Sequence, residues 1–193
     1  MKEKQLDSLL ENINYEISIL ANTSAFIKQE FEDVSWAGFY LNQNQQLILG
    51  PFQGLIACTL IPFDKGVCGA CASSKKTICV ENVHEFPGHI ACDSASNSEI
   101  VIPIIIDDDL YGVLDLDSTS FNRFKKDDQI ILEKLVAILV KHLKRIKCYK
   151  VNCALSIIYL LTFFIKFMFT FWTCNCNFTT SSWYSYHLFT AWT

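Results

Sequence analysis

No block of like charge runs through this chain. Its 16 lysines and arginines and 20 aspartates and glutamates are interspersed, for a formal net charge of -4, which excludes the electrostatic footprint of a nucleic-acid binder. Internal repeats and glycine- or serine-rich linkers are also lacking, and 193 residues, 51% of them hydrophobic, suit one domain of ordinary size with an appendage. The first residues, Met1 to Asp7, are charged and partly acidic. They have neither the apolar core of a secretion signal nor the acid-poor character of a transit peptide, so a cytoplasmic protein is expected. Thiols stay reduced in that compartment, and clustered cysteines there point to redox or metal chemistry rather than to a disulfide framework.

The sharpest absence is local. From Cys148 to Thr193 there is no Asp, Glu, Gly, Pro, Gln or Arg, yet this stretch holds 14 of the 26 aromatic residues. Val151 to Thr173 is a 23-residue apolar run with Lys166 as its single charge, long enough to cross a hydrocarbon core of ~30 Å. Lys141, Lys144, Arg145, Lys147 and Lys150 precede it and would lie on the cytosolic side. The expected division is therefore residues 1–147 as the working domain and 148–193 as an apolar aromatic tail. Two readings of the tail stand: a membrane anchor, or translated sequence from beyond the natural stop or splice site. Only the first makes a membrane a partner.

Ahead of the break the pattern mixes two periods. Leu6, Leu9, Leu10, Ile13, Ile17 and Leu20 follow helical spacing, as do Ile130, Ile131, Leu135, Ile138 and Leu139, and these two helices should bracket the domain. Between them, Trp36 to Leu41, Gln46 to Leu49, Cys58 to Ile61, Thr77 to Val80, Ile100 to Ile106 and Leu110 to Leu116 read as strands. Asp107, Asp108 and Asp109 make a tight-turn signal that joins the last two as an antiparallel hairpin. Gly66 to Ser74 is small and apolar and predicts a short helix opening at the glycine. The fold class is α+β.

Five of the nine cysteines, Cys58, Cys68, Cys71, Cys79 and Cys92, fall within thirty-five residues. Cys68 and Cys71 have C-x-x-C spacing, which is weak by itself. A zinc site would draw further ligands from Cys58, Cys79, His84, His89 or Cys92, but there is no second C-x-x-C and no regular histidine pair. A thioredoxin-like pair would want the setting of a βαβ unit, which is missing. Cys79, between Ile78 and Val80, reads as a small buried hydrophobe in a strand. Cys92 lies among small and polar residues that predict an exposed loop, where a thiol is accessible and His89 or a short helix starting at Asp93 would favour the thiolate. Asp115 and Asp117 share one strand face, where like charges repel and one carboxyl should hold its proton unless a cation binds. Val113, Leu114 and Leu116 suggest that the opposite face packs on the core, leaving the acids on a pocket or on open solvent.

In order and spacing, Ser35 to Leu41, Leu49 to Gly54, Ala57-Cys58, Gly66 to Gly69, Pro87 to Asp93, Ala95 to Val101 and Gly112 to Ser118 together resemble the free methionine-(R)-sulfoxide reductases. These are built on a GAF domain, and the likeness covers roughly residues 5 to 146. The resemblance implies a GAF-like fold, a central antiparallel sheet of about six strands flanked by helices, commonly as a homodimer. It implies free L-methionine-(R)-S-oxide as substrate, Cys58, Cys68 and Cys92 as reactive cysteines, Glu99, Asp115 and Asp117 as acidic pocket residues, and Trp36 and Tyr40 as an aromatic wall. Cys71 stands where the family more often has another residue; it is incidental or an alternative resolving thiol.

Sulfoxide oxygen is a poor leaving group, so thiolate attack at sulfur needs an acid to protonate it, and Glu99 is the candidate. Cys92 would become a sulfenic acid, which a neighbouring thiol closes to a disulfide. Either Cys58 or Cys68 resolves, and the assignment with Cys68 attacking first stays open. Recycling calls for an external dithiol, thioredoxin, and no bound cofactor or metal is expected. The rival reading is a GAF domain that senses a small ligand without turning it over.

Overall fold

Alternation of side chains along six strands builds one antiparallel sheet. The computed structural model describes residues 1–88 and 95–148, together with Leu161, Thr162 and Ile165, and the chain divides into the units Met1–Ile146 and Lys147–Thr193. The strands are β1 (Trp36–Gln43), β2 (Gln46–Gln53), β3 (Leu60–Pro62), β4 (Ile78–Val80), β5 (Ser98–Ile106) and β6 (Asp109–Ser118), in the order β3-β2-β1-β6-β5-β4. The helices are α1 (Lys2–Leu10), α2 (Glu16–Glu30), α3 (Gly66–Ser74) and α4 over 126–148. All neighbouring strands run antiparallel.

Two hairpins fix the register of the central strands. Asn44 and Gln45 take φ of 53° and 63° between β1 and β2, and Asp107 and Asp108 take 53° and 67° between β5 and β6. Two consecutive left-handed residues match the right-handed twist of the flanking strands, and Asn and Asp tolerate that conformation better than most side chains. Asp109 itself opens β6, paired with Ile106, so the tri-aspartate turn is the expected hairpin.

Period-two alternation then sorts the apolar residues onto two faces. Ala37 and Phe39 of β1, Ile100, Ile102 and Ile104 of β5, and Leu114 and Leu116 of β6 bury against Leu6, Leu10, Ile19, Leu20 and Ile27 of α1 and α2 and Leu132, Leu135 and Leu139 of α4. Trp36, Tyr40, Val101 and Val113 face the other way and pack with Val67, Cys68, Cys71 and Ala72 of α3. Val113 therefore lies on the same side as Asp115, not opposite it with Leu114 and Leu116.

Three further expectations need correcting. The apolar series from Leu6 to Leu20 is two helices, broken between Leu10 and Glu16, which resets the helical phase and leaves Leu9 and Ile17 exposed. The break is held by Arg145 of α4, whose guanidinium donates to the carbonyls of Leu10, Glu11 and Ile13, satisfying acceptors that a helix end leaves open. The Cys58 to Ile61 strand begins only at Leu60, with Cys58 half-buried in the segment before it. Cys79 does lie in β4 but is exposed, its thiol directed to the Phe124 carbonyl at 3.5 Å, because β4 is an edge strand with no neighbour on one side. The apolar run from Val151 to Thr173 lies outside the described residues except for Leu161, Thr162 and Ile165; among the described residues no helix is long and apolar enough to cross a membrane.

Gly38 is where the sheet is least forgiving. A Cβ there would fall 2.3 Å from Cβ of Phe52 and 2.5 Å from the far edge of the Trp36 indole. Gly38→Ala is expected to cost about 1–3 kcal/mol of stability, as overpacking does, read as a lower urea midpoint at unchanged slope. An unaltered midpoint would show that both Trp36 and the Phe52 backbone yield freely.

Candidate active site

The register of three strands sets the acidic and aromatic side chains side by side. Across β1 and β6, Trp36 pairs with Asp117, Gly38 with Asp115 and Tyr40 with Val113. Across β5 and β6, Glu99 pairs with Asp117 and Val101 with Asp115. Since partners in a ladder project to the same side, Trp36, Tyr40, Glu99, Asp115 and Asp117 occupy one face, and α3 lies over it.

From α3, Cys68 meets the acids. Its Sγ is 3.8 Å from Oε1 of Glu99, and one ligating atom from each of Cys68, Glu99 and Asp115 lies within 4.8 Å of the others. These three side chains are 4%, 6% and 6% exposed, while Asp117 is only half-buried. Oδ1 of Asp115 is buried with no hydrogen-bond partner.

Burial decides the protonation here. Desolvation, followed by the nearby charges of Asp115 and Asp117, holds the Glu99 carboxyl far above the ordinary carboxylate range. Asp115 is pushed up to about 7 by burial, against the pull of hydrogen bonds from Cys68 and Glu99. The Cys68 thiol is raised by burial and then by both carboxylates. Cys71, one turn on, is raised to about 12 by burial and directs its thiol to the Val101 carbonyl at 3.6 Å. A buried acid cluster without a cation keeps its protons: Glu99 and Cys68 stay protonated, and Asp115 is poised at neutrality.

Beside the acids stands an aromatic wall. Trp36 stacks on Tyr40 with ring centroids 5.9 Å apart and on Phe52 of β2 at 5.2 Å, in the offset range that aromatic pairs prefer. Its Nε1 donates to the Leu55 carbonyl at 3.1 Å, pinning the indole and the segment that leads to Cys58. The face thus offers an apolar wall, a proton-bearing carboxyl, a carboxyl ready to ionise and a thiol.

The GAF domain family model matches residues 6–143. The free methionine-R-sulfoxide reductase of Escherichia coli is 51% identical over 125 residues, covering 65% of this chain and 76% of that protein. Among solved structures, the reduced form of fRMsr of Staphylococcus aureus shares 48% identity with a TM-score of 0.72, covering 74% of this chain and 92% of that one. The free methionine-R-sulfoxide reductase of Neisseria meningitidis in complex with its substrate shares 40% identity with a TM-score of 0.74, covering 76% and 89%. The chain belongs to the GAF-domain family of free methionine-R-sulfoxide reductases. It is accordingly an oxidoreductase, and its α+β GAF fold is the one that the family resemblance implies.

Of the residues singled out from sequence for this reductase fold, Cys68, Glu99, Asp115, Asp117, Trp36 and Tyr40 converge on one face, and Cys58 lies on the segment that Trp36 holds through Leu55. Cys92 and His89 lie outside the described residues. The C-x-x-C pair does not draw in further cysteine or histidine ligands among the described residues; Cys68 is grouped instead with two carboxylates. Sequence reasoning missed Phe52 and Gly38. The signal for both was present, because Gly38 separates two aromatics at alternate strand positions and so leaves room for a ring from the next strand.

The protonation pattern has a consequence for stability. Glu99 and Asp115 bind protons more tightly folded than unfolded, so their stabilising contribution is complete below the ordinary carboxylate range and is lost as pH rises through each folded pKa, about 7 for Asp115. Asp115→Asn cannot ionise. Its stability relative to the parent is therefore expected to be more favourable at pH 8 than at pH 5, by on the order of 1 kcal/mol or more, in urea unfolding at the two pH values. Equal differences at both would show that Asp115 ionises normally.

Proposed function

We propose that the chain reduces free L-methionine-(R)-S-oxide to methionine, with Cys92 as nucleophile and Glu99 as acid. The observation that carries this reading is the buried, proton-bearing Glu99 held against Cys68 and Asp115 beside the Trp36 wall. A domain that only sensed a ligand would need neither the thiol nor the retained proton.

Attack of the Cys92 thiolate on the sulfoxide sulfur forms a sulfur–sulfur bond as the Glu99 proton passes to oxygen; the S–O bond then breaks, and the hydroxyl moves to the Cys92 sulfur as the sulfur–sulfur bond breaks, leaving a Cys92 sulfenic acid and methionine. Condensation with a second thiol releases water and forms a disulfide, which a thioredoxin-type dithiol reduces by exchange. Cys68 fits the attacking role poorly, because burial and two carboxylates hold its proton and the thiolate is the nucleophile. Half-buried Cys58 is the better resolver on exposure. The substrate ammonium would pair with Asp115 and Asp117, whose burial together is otherwise unfavourable, while Trp36 and Tyr40 enclose the methyl and sulfur end. A methionine inside a peptide carries no such ammonium. We place this activity in the cytosol, in a homodimer, with no cofactor or resident metal.

Incubation of the chain with racemic free methionine sulfoxide and a thioredoxin system tests the reading: the R epimer should disappear and the S epimer persist. Persistence of both would refute it. Cys92→Ser should abolish even a single turnover. Cys58→Ser should still release one methionine per chain but fail to recycle. Glu99→Gln should lower the rate about 10²-fold, a typical general-acid contribution; if single turnover is lost in Cys68→Ser and kept in Cys92→Ser, the two cysteines exchange roles.

A further inference from the structure

We infer that Cys68, Glu99 and Asp115 form a binding site for a borderline-soft divalent cation, with Zn²⁺ as the ion of choice. Three different strands and helices deliver one sulfur and two oxygen donors to a single point, all within 4.8 Å of one another, and each side chain is more than nine-tenths buried. One edge of the triangle is already of the right size. The Cys68 to Glu99 separation is 3.8 Å, against roughly 3.5 Å between sulfur and oxygen ligands of one tetrahedral zinc with bonds of ~2.3 and ~2.0 Å.

A second, independent observation points to a missing ligand. Oδ1 of Asp115 is buried without any hydrogen-bond partner, and a lone buried acceptor of this kind is costly to maintain unless something occupies it. Among the described residues, no lysine or arginine makes an ion pair with Glu99 or Asp115, so the cation has no internal competitor. Donor chemistry selects the ion. Magnesium and calcium prefer all-oxygen shells of six or more ligands, whereas thiolate with carboxylates suits zinc, three protein donors leaving the fourth position for water. On binding, the metal–sulfur bond replaces the Cys68 S–H bond and a metal–oxygen bond replaces the Glu99 O–H bond, with both protons released to solvent and no change of oxidation state.

Such an ion would sit among the groups assigned above to acid catalysis and ammonium binding. Zinc would then inhibit the reductase competitively, a consequence that rests on the proposed function, whereas the binding itself does not. The test therefore reads binding directly. Reduced, metal-free full chain is equilibrated by dialysis with Zn²⁺ alone, and in parallel with Co²⁺, whose thiolate charge-transfer absorption reports a metal–sulfur bond. The expected result is zinc uptake with a thiolate–cobalt band. Cys68→Ser should abolish the band from this site, and Asp115→Asn should weaken zinc binding about 10-fold or more, while exposed Cys79→Ser leaves both signals in place. Urea unfolding of each variant confirms that it is folded. Zinc affinity and cobalt band unchanged in both folded variants, or no zinc retained by the parent, would overturn the inference. Zinc bound as expected by a chain that fails to reduce methionine sulfoxide would leave this site standing and overturn the proposed reaction instead.

Discussion

Two carboxyls and a thiol are buried against one another without a lysine or arginine paired to them among the described residues, and the site's other properties are set by that burial. A desolvated carboxylate is expensive, and two adjacent ones more so, so the cluster remains near neutrality by keeping protons. Glu99 and Cys68 hold theirs firmly, and Asp115 is balanced at about 7. The arrangement is possible only because other parts of the fold fix the three groups. Glu99 and Asp115 come from adjacent strands in a fixed register, and Cys68 comes from a helix that must press close to the sheet. Gly69 lets the first turn of α3 lie against the segment that leads into it, since a Cβ there would fall 2.5 Å from the Pro62 carbonyl oxygen.

The two faces of the sheet divide the work of the fold. Under α1, α2 and α4 the buried residues are mainly apolar, from Leu6 and Leu10 through Phe39 to Leu116 and Leu139, with Thr23, Ser24 and His142 buried on α2 and α4 beside them, and this face supplies most of the hydrophobic driving force. The face under α3 is smaller and contains the two buried carboxyls, Cys68 and the stacked rings. Polar burial lowers stability, and it is tolerated where a larger apolar core offsets it. Strands β5 and β6 serve both faces at once. Ile100 and Leu116 anchor the core while Glu99 and Asp115, one residue away in each strand, point into the site.

That single-residue alternation explains what the sequence made legible. Asp115 and Asp117 were readable as sharing a face because period two is local, and the β5–β6 hairpin was readable because Asp107 and Asp108 tolerate left-handed backbone. The GAF fold and the set of pocket residues were carried by the spacing of motifs along most of the domain. What could not be read were relations between distant segments. That Glu99 meets Cys68, thirty-one residues earlier, depends on how α3 crosses the sheet. The break between α1 and α2 depends on Arg145, more than 130 residues away. Cys79 looked buried because its neighbours are apolar, but an edge strand exposes what a central strand would cover.

On the proposed reading, the unequal hold on protons sorts the two carboxyls into different tasks. A carboxyl poised near 7 loses its proton at neutral pH for almost no free energy, since each unit between pKa and pH corresponds to about 1.4 kcal/mol. Asp115 can therefore become an anion when an ammonium arrives, and revert when it leaves. Glu99 is held far above the ordinary carboxylate range by burial and by the charges of Asp115 and Asp117, which suits it to keeping a proton for chemistry. One carboxyl answers the ligand's charge and the other retains the proton for chemistry, a separation of roles that follows from differing environments rather than from differing residue types. A free amino acid brings the cation that this separation requires; a methionine embedded in a peptide does not. Discrimination between them follows from the same burial that sets the protonation of the site.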